Sequence, residues 1–225
     1  NEITAIPELL RLVDIKGAII TIDAMGTQKV IAEPIIEGEG DYVLALKGNH
    51  ETLHQAVIEH INEQVANGFG NTTVDRHQTE ETAHGREETR SYLQMPVPED
   101  LPGLPLWKGL KSIGRVESRC IRDEKETVEI RSFISSLAVG VKLFAHAVRS
   151  HWGIENSCHW TLDVTYREDE SRIREKNLRE NFAWLNRLTL SLLKQHPGRE
   201  SIAMKRRSCG WDENFLLQVL TGSTP

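Results

Sequence analysis

The chain has 225 residues, of which 39% are hydrophobic and 27% are charged, and its formal net charge is −6. This length is sufficient for a full hydrophobic core, and the composition is that of a globular protein rather than a disordered or fibrous one. No apolar run is long enough to cross a membrane and no signal peptide is visible, so neither a membrane-spanning nor a secreted protein is expected.

The charges are distributed unevenly, because residues 171–225 carry a net charge of +5 while residues 1–170 carry −11. The acidic total argues weakly against nucleic acid as a partner, but the basic C-terminal part leaves room for phosphate contacts. The cysteines are scattered and lack the spacing of metal ligands, and they predict reduced thiols and a cytoplasmic location: Cys120, Cys158 and Cys209.

The N-terminal part predicts a strand, a helix and a second strand of a parallel sheet. Ala18–Ile22 and Tyr42–Leu46 are short apolar runs typical of strands that are covered on both faces. Thr27 is the predicted N-cap of the helix between them, and Pro34 is expected to kink or end that helix early. Glu51–Val65 then predicts an amphipathic helix.

Asp23 directly follows the first predicted strand. Ligands of open α/β sheets gather at the carboxyl ends of strands, so Asp23 is a candidate functional residue. The alternative is that Asp23 only opens the turn that Gly26 completes.

Residues 71–134 are rich in Thr, Val and Arg in an alternating pattern, which predicts a β-rich insertion. Its candidate strands are Thr73–His77, Glu88–Leu93, Ile113–Ile121 and Thr127–Ile134. The last two are expected to form a hairpin through Asp123–Glu126, with Val128, Ile130 and Ile134 on one face. His84–Arg86 and Arg90 are of the type that contacts phosphate, although an exposed hairpin face is the favoured interpretation.

A helix predicted from about Val139 to Leu162 carries an acidic residue on its apolar face. At about 100° per residue, Glu155 lies on the same side as Phe144 and Val148. A buried carboxylate is costly unless it is protonated, paired or bound to a metal. Glu155 is therefore interpreted either as a structural partner in an ion pair or hydrogen bond, or as a residue with a chemical role.

The C-terminal part predicts one more long helix, Asn177–Gln195, and a basic triplet, Lys205–Arg207, that is interpreted as exposed surface. The apolar stripe of the helix consists of Leu178, Phe182, Leu185, Leu188 and Leu192.

Two kinds of metal chemistry are compatible with these residues. Asp23 and Glu155 can meet in a sheet-plus-helix fold, and their oxygens suit Mg²⁺ ions that assist phosphoryl transfer. Alternatively, His151, Glu155 and His159 lie on one helix face with transition-metal ligand chemistry, but three consecutive turns would spread them along the helix.

Four segments resemble the H-repeat-associated, Rhs-linked transposases of bacterial insertion sequences, in order over nearly the whole chain. They are ITIDAMGTQK (Ile20–Lys29), DYVLALKGN (Asp41–Asn49), HGREETR (His84–Arg90) and RSHWGIENSCHWTLDVTYREDESRIR (Arg149–Arg174). The resemblance implies an α/β fold with an RNase H-like core at residues 1–70 and 135–225, incomplete at its N-terminus, and a β-rich insertion at residues 71–134.

The resemblance also implies a DDE triad that binds Mg²⁺, with Mn²⁺ as a substitute, and that cuts and joins DNA at the element's terminal repeats. Asp23 is then the second acidic residue and Glu155 the third; both are expected to be catalytic and to bind the metal. The family's first aspartate lies before the segment that corresponds to Asn1, and no residue here is an evident substitute. We therefore expect this chain to be a fragment that is inactive alone, and a non-catalytic DNA-binding or structural remnant is the alternative.

In better-known relatives, Tyr, Arg and Lys lie seven before, four before and seven after the glutamate. Those positions here are Val148, His151 and Leu162, so the DNA-contacting roles do not carry over directly. The candidate DNA contacts are His151, Lys47, Arg172 and Arg174. The resemblance leaves a homodimer open.

Overall fold

The computed structural model describes residues 2–70, 72–83, 85–123 and 125–222. The chain divides into two compact units, Asn1–His151 and Trp152–Pro225. Among the described residues, no helix combines the length and the apolar character that crossing a bilayer requires.

The first unit is a mixed α/β structure built on one six-stranded sheet. Its strands are β1 (Ile19–Ile22), β2 (Asp41–Leu46), β3 (Asp75–Ala83), β4 (Arg86–Pro96), β5 (Ser112–Arg122) and β6 (Lys125–Ser135). They lie in the order β1-β2-β6-β5-β4-β3. The β1–β2 pair is parallel, and all other neighbours are antiparallel.

Helices cover both faces of the sheet because successive strand residues point to opposite sides. The helices are α1 (Glu2–Leu12), α2 (Lys29–Glu37), α3 (Glu51–Ala66) and α4 (Val141–Ile154), the last of which ends just beyond the unit boundary. Leu44 on one face belongs to a core that includes residues of α2 and α3. Its neighbour Val43 belongs to a core that includes Phe144 and Val148 of α4.

Helix α4 approaches the sheet closely at Gly114 on β5. A Cβ atom at this position would lie 2.5 Å from Cζ of Phe144, which is fully buried. The Phe144 ring packs edge-on against Phe133, with 5.6 Å between the ring centroids. The contact between α4 and the sheet therefore requires a glycine on β5.

Helix α2 differs from its prediction at both ends. Thr27 is not its cap; Gln28 precedes the first helical residue, and no side chain caps the helix there. Pro34 does not end the helix, which continues to Glu37. Proline removes one backbone donor, and burial of the apolar side of α2, including Ile31, offsets that loss.

The β-rich segment forms strands as expected, but they are longer and continue the sheet of β1 and β2. The prediction missed most of β3, because its distal half is polar on both faces and lacks apolar alternation. Of the apolar residues expected on one face of β6, Ile134 is buried, whereas Val128 is 51% and Ile130 is 57% exposed. Glu124, in the predicted turn, lies outside the described residues. A separate inserted domain at residues 71–134 stays a prediction.

The second unit is helical. It contains a π-helical turn (Glu155–His159), α5 (Trp160–Val164), α6 (Lys176–Gln195), α7 (Ile202–Trp211) and α8 (Glu213–Thr221). The predicted apolar stripe of α6 is not its buried face, since Leu178, Phe182, Leu185 and Leu188 are all exposed. The buried leucines are instead Leu190 and Leu193, on the helix that α7 and α8 contact.

Lys205 corrects the interpretation of the basic triplet as exposed surface. Its side chain is buried, and the residue is only 4% exposed. Its Nζ atom donates to the carbonyl oxygens of Leu193 at 3.2 Å and His196 at 2.6 Å. The last carbonyls of a helix lack intrahelical partners, so an ammonium group at this position stabilises the end of α6.

We predict that Lys205→Met lowers the free energy of unfolding by about 1–3 kcal/mol, because it leaves buried carbonyl groups without a donor. Urea unfolding followed by tryptophan fluorescence measures the change. Lys194→Met is the matched control, since Lys194 is an exposed lysine of α6, and it should shift stability by less than about 0.5 kcal/mol. Equal effects of the two substitutions would contradict the capping role.

Candidate functional site

Asp23 lies at the carboxyl end of β1, where it precedes a short 3-10 turn, Ala24–Gly26. The residue is exposed, and its side chain does not cap the turn. Within the described part of the chain, Asp23 takes part in no ion pair. Asp23 does open the turn that Gly26 completes, because its carbonyl oxygen accepts from the N–H of Gly26 at 3.2 Å. The side chain takes no part in this turn, so the carboxylate is available to a ligand.

The backbone around Asp23 is held by a set of hydrogen bonds that we call the Thr27 latch. Thr27 is fully buried, and its Oγ1 atom lies 2.6 Å from the carbonyl oxygen of Ala45 and 3.2 Å from that of Asp23. A hydroxyl group has one proton, so the shorter contact to Ala45 is the donated hydrogen bond. This bond connects the loop after β1 to the last residues of β2.

Two side chains that follow β2 complete the latch. Asn49 donates from Nδ2 to the carbonyl oxygen of Ala24 at 2.6 Å. Nε2 of His50 lies 2.5 Å from the carbonyl oxygen of Thr27, and the His50 ring packs edge-on against Trp107 at 5.5 Å. Sequence reasoning missed all three latch residues; the only signal was a polar residue next to each strand end.

Lys47 and His151 are related to this edge of the sheet in different ways. Lys47 follows β2 at the same edge as Asp23, because β1 and β2 are parallel, and it is exposed without an ion pair in the described residues. His151 is half-buried on α4, with Nδ1 3.1 Å from Oγ1 of Thr21 on β1. Lys47 is therefore open to an anion, whereas one nitrogen of His151 already contacts the protein.

Glu155 begins the π-helical turn, in which the N–H of Trp160 donates to the carbonyl oxygen of Glu155. Such turns inside α-helices are frequent at functional sites. Oε1 of Glu155 lies 3.2 Å from Nδ1 of His159. This contact is of the kind that the structural interpretation anticipated, but both side chains are half-exposed and such pairs contribute little to stability.

The expectation that Glu155 is buried is wrong, because its side chain is 52% exposed. The apolar face of α4 is buried as far as Val148, and His151 is half-buried. From Trp152 to Glu155 every residue is exposed. Helical periodicity gives the direction of an apolar face, but it does not tell how far along the helix the covering sheet extends.

The two metal interpretations fare differently. The described residues contain no group of three or more His, Cys, Asp or Glu side chains placed to hold a metal ion, so the site of His151, Glu155 and His159 has no support. Asp23 belongs to the first unit and Glu155 to the second. Their joint site therefore stays a prediction.

Arg90 is neither a phosphate contact nor part of an exposed hairpin face. The residue is 8% exposed, and its guanidinium forms ion pairs with Glu88 and, at 3.3 Å, with Glu81. Arg149 of α4 also contacts Glu81, at 3.2 Å. These charges connect β3 and β4 to α4. His84, from the same predicted site, lies outside the described residues.

The remaining predicted DNA contacts, Arg172 and Arg174, lie between α5 and α6 in the second unit. Both are exposed, and neither forms an ion pair with another described residue. Their guanidinium groups are therefore available, while contact with DNA stays a prediction.

A family model described as the transposase DDE domain matches residues 1–192. This chain belongs to the DDE transposase family. Membership confirms the resemblance drawn from Ile20–Lys29, Asp41–Asn49 and the block around Glu155.

Curated relatives of this transposase domain agree with that assignment. "Putative protein YbfL" of Escherichia coli strain K12 is 41% identical over 99% of the chain and 60% of its own length. "Putative transposase YncI" of Escherichia coli O157:H7 is 42% identical over 98% of the chain and 57% of its own length. "H repeat-associated putative transposase YhhI" of strain K12 is 40% identical over 99% and 60%. The chain thus spans about 60% of the length of these relatives.

DDE domains depend on a divalent metal cofactor, and the chemistry of the two acidic residues suits one. The Asp23 carboxylate is exposed and caps no helix, and the Glu155 carboxylate contacts Nδ1 of His159 at 3.2 Å. Ionised carboxylates are the hard oxygen ligands that Mg²⁺ and Mn²⁺ prefer. As donor groups, the residues of this transposase domain therefore fit such an ion.

We predict that Thr27→Val lowers the free energy of unfolding by about 1–3 kcal/mol, because it keeps the shape of the side chain but removes its buried donor. Urea unfolding measures the total loss, and hydrogen exchange at the amides of Gly26 and Thr27 reports loosening of the latch. Thr27→Ser is the control that keeps the hydroxyl, and it should lose less. Faster exchange in Thr27→Ser than in Thr27→Val would contradict the latch.

Proposed function

We propose that this chain supplies two of the three acidic residues of a transposase that cuts and joins DNA at the ends of an insertion sequence, on an RNase H-like core. The observation that carries the proposal is the exposed, uncommitted carboxylate of Asp23. It lies at the carboxyl edge of two parallel strands, in a chain whose residues 1–192 match the DDE domain. Carboxyl edges of parallel strands are where α/β folds place their ligands.

Asp23 and Glu155 would hold Mg²⁺, or Mn²⁺ in its place, through their carboxylate oxygens. When bound, the ion supplies positive charge beside the reacting phosphate. The chain's own contribution is placement, because the latch fixes the Asp23 backbone through contacts that do not involve the Asp23 carboxylate. Ligand groups that are fixed in advance need little reorganisation during the reaction.

Glu155 can serve this role despite its contact with His159. An ionised carboxylate offers about four lone-pair sites, so one imidazole contact leaves capacity for a metal ion. Its half-exposed side chain is also accessible to a cation from solvent.

The proposed DNA contacts are the exposed cations Lys47, Arg172 and Arg174, together with His151. Lys47 lies at the same sheet edge as Asp23, which suits a phosphate next to the metal-binding carboxylate. The terminal repeats of the element are the proposed target, the cytoplasm the proposed location, and a homodimer the proposed assembly. Binding that depends on phosphate contacts weakens steeply with salt.

A non-catalytic DNA-binding or structural remnant is the second candidate. It is favoured by one observation, namely that the described residues assemble no group of three metal ligands. No third acidic residue of this chain is assigned to the triad. The two candidates therefore make different predictions for a protein that contains the complete triad. Only the catalytic candidate requires the carboxylates of Asp23 and Glu155 for DNA cleavage.

We predict that the chain alone binds DNA without nicking it. A chimera that joins this chain to the part of YhhI outside the matched region should nick DNA that carries the terminal repeats when Mg²⁺ is present. Asp23→Asn and Glu155→Gln should each remove nearly all nicking by the chimera, because phosphoryl transfer depends on placed charge. Glu180→Gln, at an exposed site on α6, is the matched control and should keep full activity. Cutting by the chain alone would show that the triad is misassigned, and an active Glu155→Gln chimera would remove Glu155 from the mechanism.

We also predict that Mn²⁺ broadens the NMR signals of the amides next to Asp23 and those next to Glu155 at the same ion concentration. A shared ion lies close to both residues, so Asp23→Asn should abolish the broadening at both places. Broadening that persists around Glu155 in Asp23→Asn would mean that the two carboxylates bind ions separately. This measurement does not depend on catalytic activity.

A further inference from the structure

The second unit has a groove of about 700 Å³ that none of the residues assigned so far lines. Part of its lining comes from α5 and the residues directly after it, including Trp160, Thr165 and Arg167. The rest comes from Ser201 and the first half of α7, including Arg206 and Arg207. We call this feature the Arg206 groove.

Arg206 is held in a fixed position beside the groove. Its Nη1 atom donates to the carbonyl oxygen of Thr165 at 2.6 Å, and its Cζ atom lies 4.7 Å from the centroid of the Tyr166 ring. A guanidinium group has five N–H donors, so these contacts leave several for a ligand. Because the side chain is already ordered, binding an anion would cost it little conformational entropy.

The other two guanidinium groups of the groove are not neutralised by buried acids. Arg207 is exposed and forms no ion pair within the described part of the chain. Arg167 contacts Glu170 at 3.8 Å, but both side chains are about 70% exposed, so the pair is weak. Glu168, the nearest acid in sequence, is already paired with Arg187 at 3.0 Å. The groove is therefore positively charged.

Trp160 adds an aromatic surface to this charged groove. Its indole is among the groove-lining side chains, and the residue is 58% exposed. Proteins that bind single-stranded nucleic acids commonly combine an exposed aromatic ring with nearby guanidinium groups. The cations contact the backbone, and the ring stacks on an unpaired base.

We propose that the Arg206 groove binds single-stranded DNA, with Arg167, Arg206 and Arg207 on phosphates and Trp160 stacked on a base. The choice of DNA rests on the proposed function, whereas the preference for a single strand follows from the groove. A base inside a duplex cannot reach the indole, because its faces are covered by its neighbours. The groove uses none of the metal-binding residues.

Fluorescence anisotropy of a labelled 15-nucleotide strand tests this proposal on the whole chain, in EDTA and over a series of salt concentrations. Arg207→Ala should weaken binding about 3- to 10-fold and reduce the salt slope by about 0.7, the value expected for one phosphate contact on a single strand. Lys194→Ala is the matched control, since it removes one exposed charge from the same unit outside the groove. It should change affinity less than about 2-fold.

Trp160→Ala should weaken single-strand binding by roughly 5-fold or more, as expected for the loss of one stacked base, and leave duplex binding unchanged. Trp160→Phe should restore most of the lost affinity, which a purely structural role of the indole would not explain. Arg206→Lys keeps the positive charge but loses the planar guanidinium group and its contact with the Tyr166 ring. This variant should bind the single strand less tightly than the parent chain. Circular dichroism checks that each variant is folded.

Equal affinities of Arg207→Ala and Lys194→Ala would overturn the proposal, as would an equal effect of Trp160→Ala on single strand and duplex. Tighter binding of an RNA strand of the same sequence would overturn the choice of DNA. Failure of the nicking experiment together with loss of binding in Arg207→Ala would reject the proposed function and keep the groove.

Discussion

The pairing of β2 with both β1 and β6 is the interaction on which the first unit depends, because it joins a parallel pair to an antiparallel sheet. Two serines strengthen this joint. Ser136 accepts from the N–H of Tyr42 at 2.8 Å and donates to Asp41 at 2.6 Å, and Ser135 donates to the carbonyl oxygen of Tyr42 at 2.8 Å. The Tyr42 hydroxyl donates to the carbonyl oxygen of Lys108. Burial raises the pKa of Tyr42 far above its ordinary value, so the phenol stays a neutral donor.

This joint decides where the charged groups of the first unit lie. Parallel pairing brings Asp23 and Lys47 to one edge of the sheet, and the Thr27 latch fixes the loops through backbone atoms and neutral side chains. Both charged side chains therefore stay solvated and uncommitted. Arg90 is the opposite case, since its charge is buried and already paired with Glu81 and Glu88. A charged group that the fold does not need for its own stability is the kind that can bind a ligand.

Elements whose apolar residues recur with a clear period could be predicted from the sequence. The prediction failed where burial depends on contacts with residues that are distant in the sequence. β1, β2, α3 and α6 were found within one or two residues, and Asp23 followed from its place at a strand end. The distal half of β3 was missed because backbone pairing with β4 holds it without an apolar face. Helical periodicity placed Glu155 on the apolar face of its helix, and burial was expected for that reason. The expectation failed because periodicity does not tell how far along the helix the covering sheet extends. Lys205 was misplaced because its acceptors are carbonyl groups of α6, which have no signature in the sequence.

Net charge alone is a poor guide to where this chain meets a polyanion. Residues 171–225 carry a net charge of +5, but their cations are not equivalent. Lys205 is buried on helix carbonyls and Arg187 is paired with Glu168, so neither contributes a free charge at the surface. Arg172 and Arg174 are exposed and form no ion pair with another described residue, so ordering their side chains on a phosphate would cost entropy. Arg206 combines an exposed guanidinium with a fixed orientation. A phosphate contact should therefore cost less conformational entropy at Arg206 than at Arg172 or Arg174.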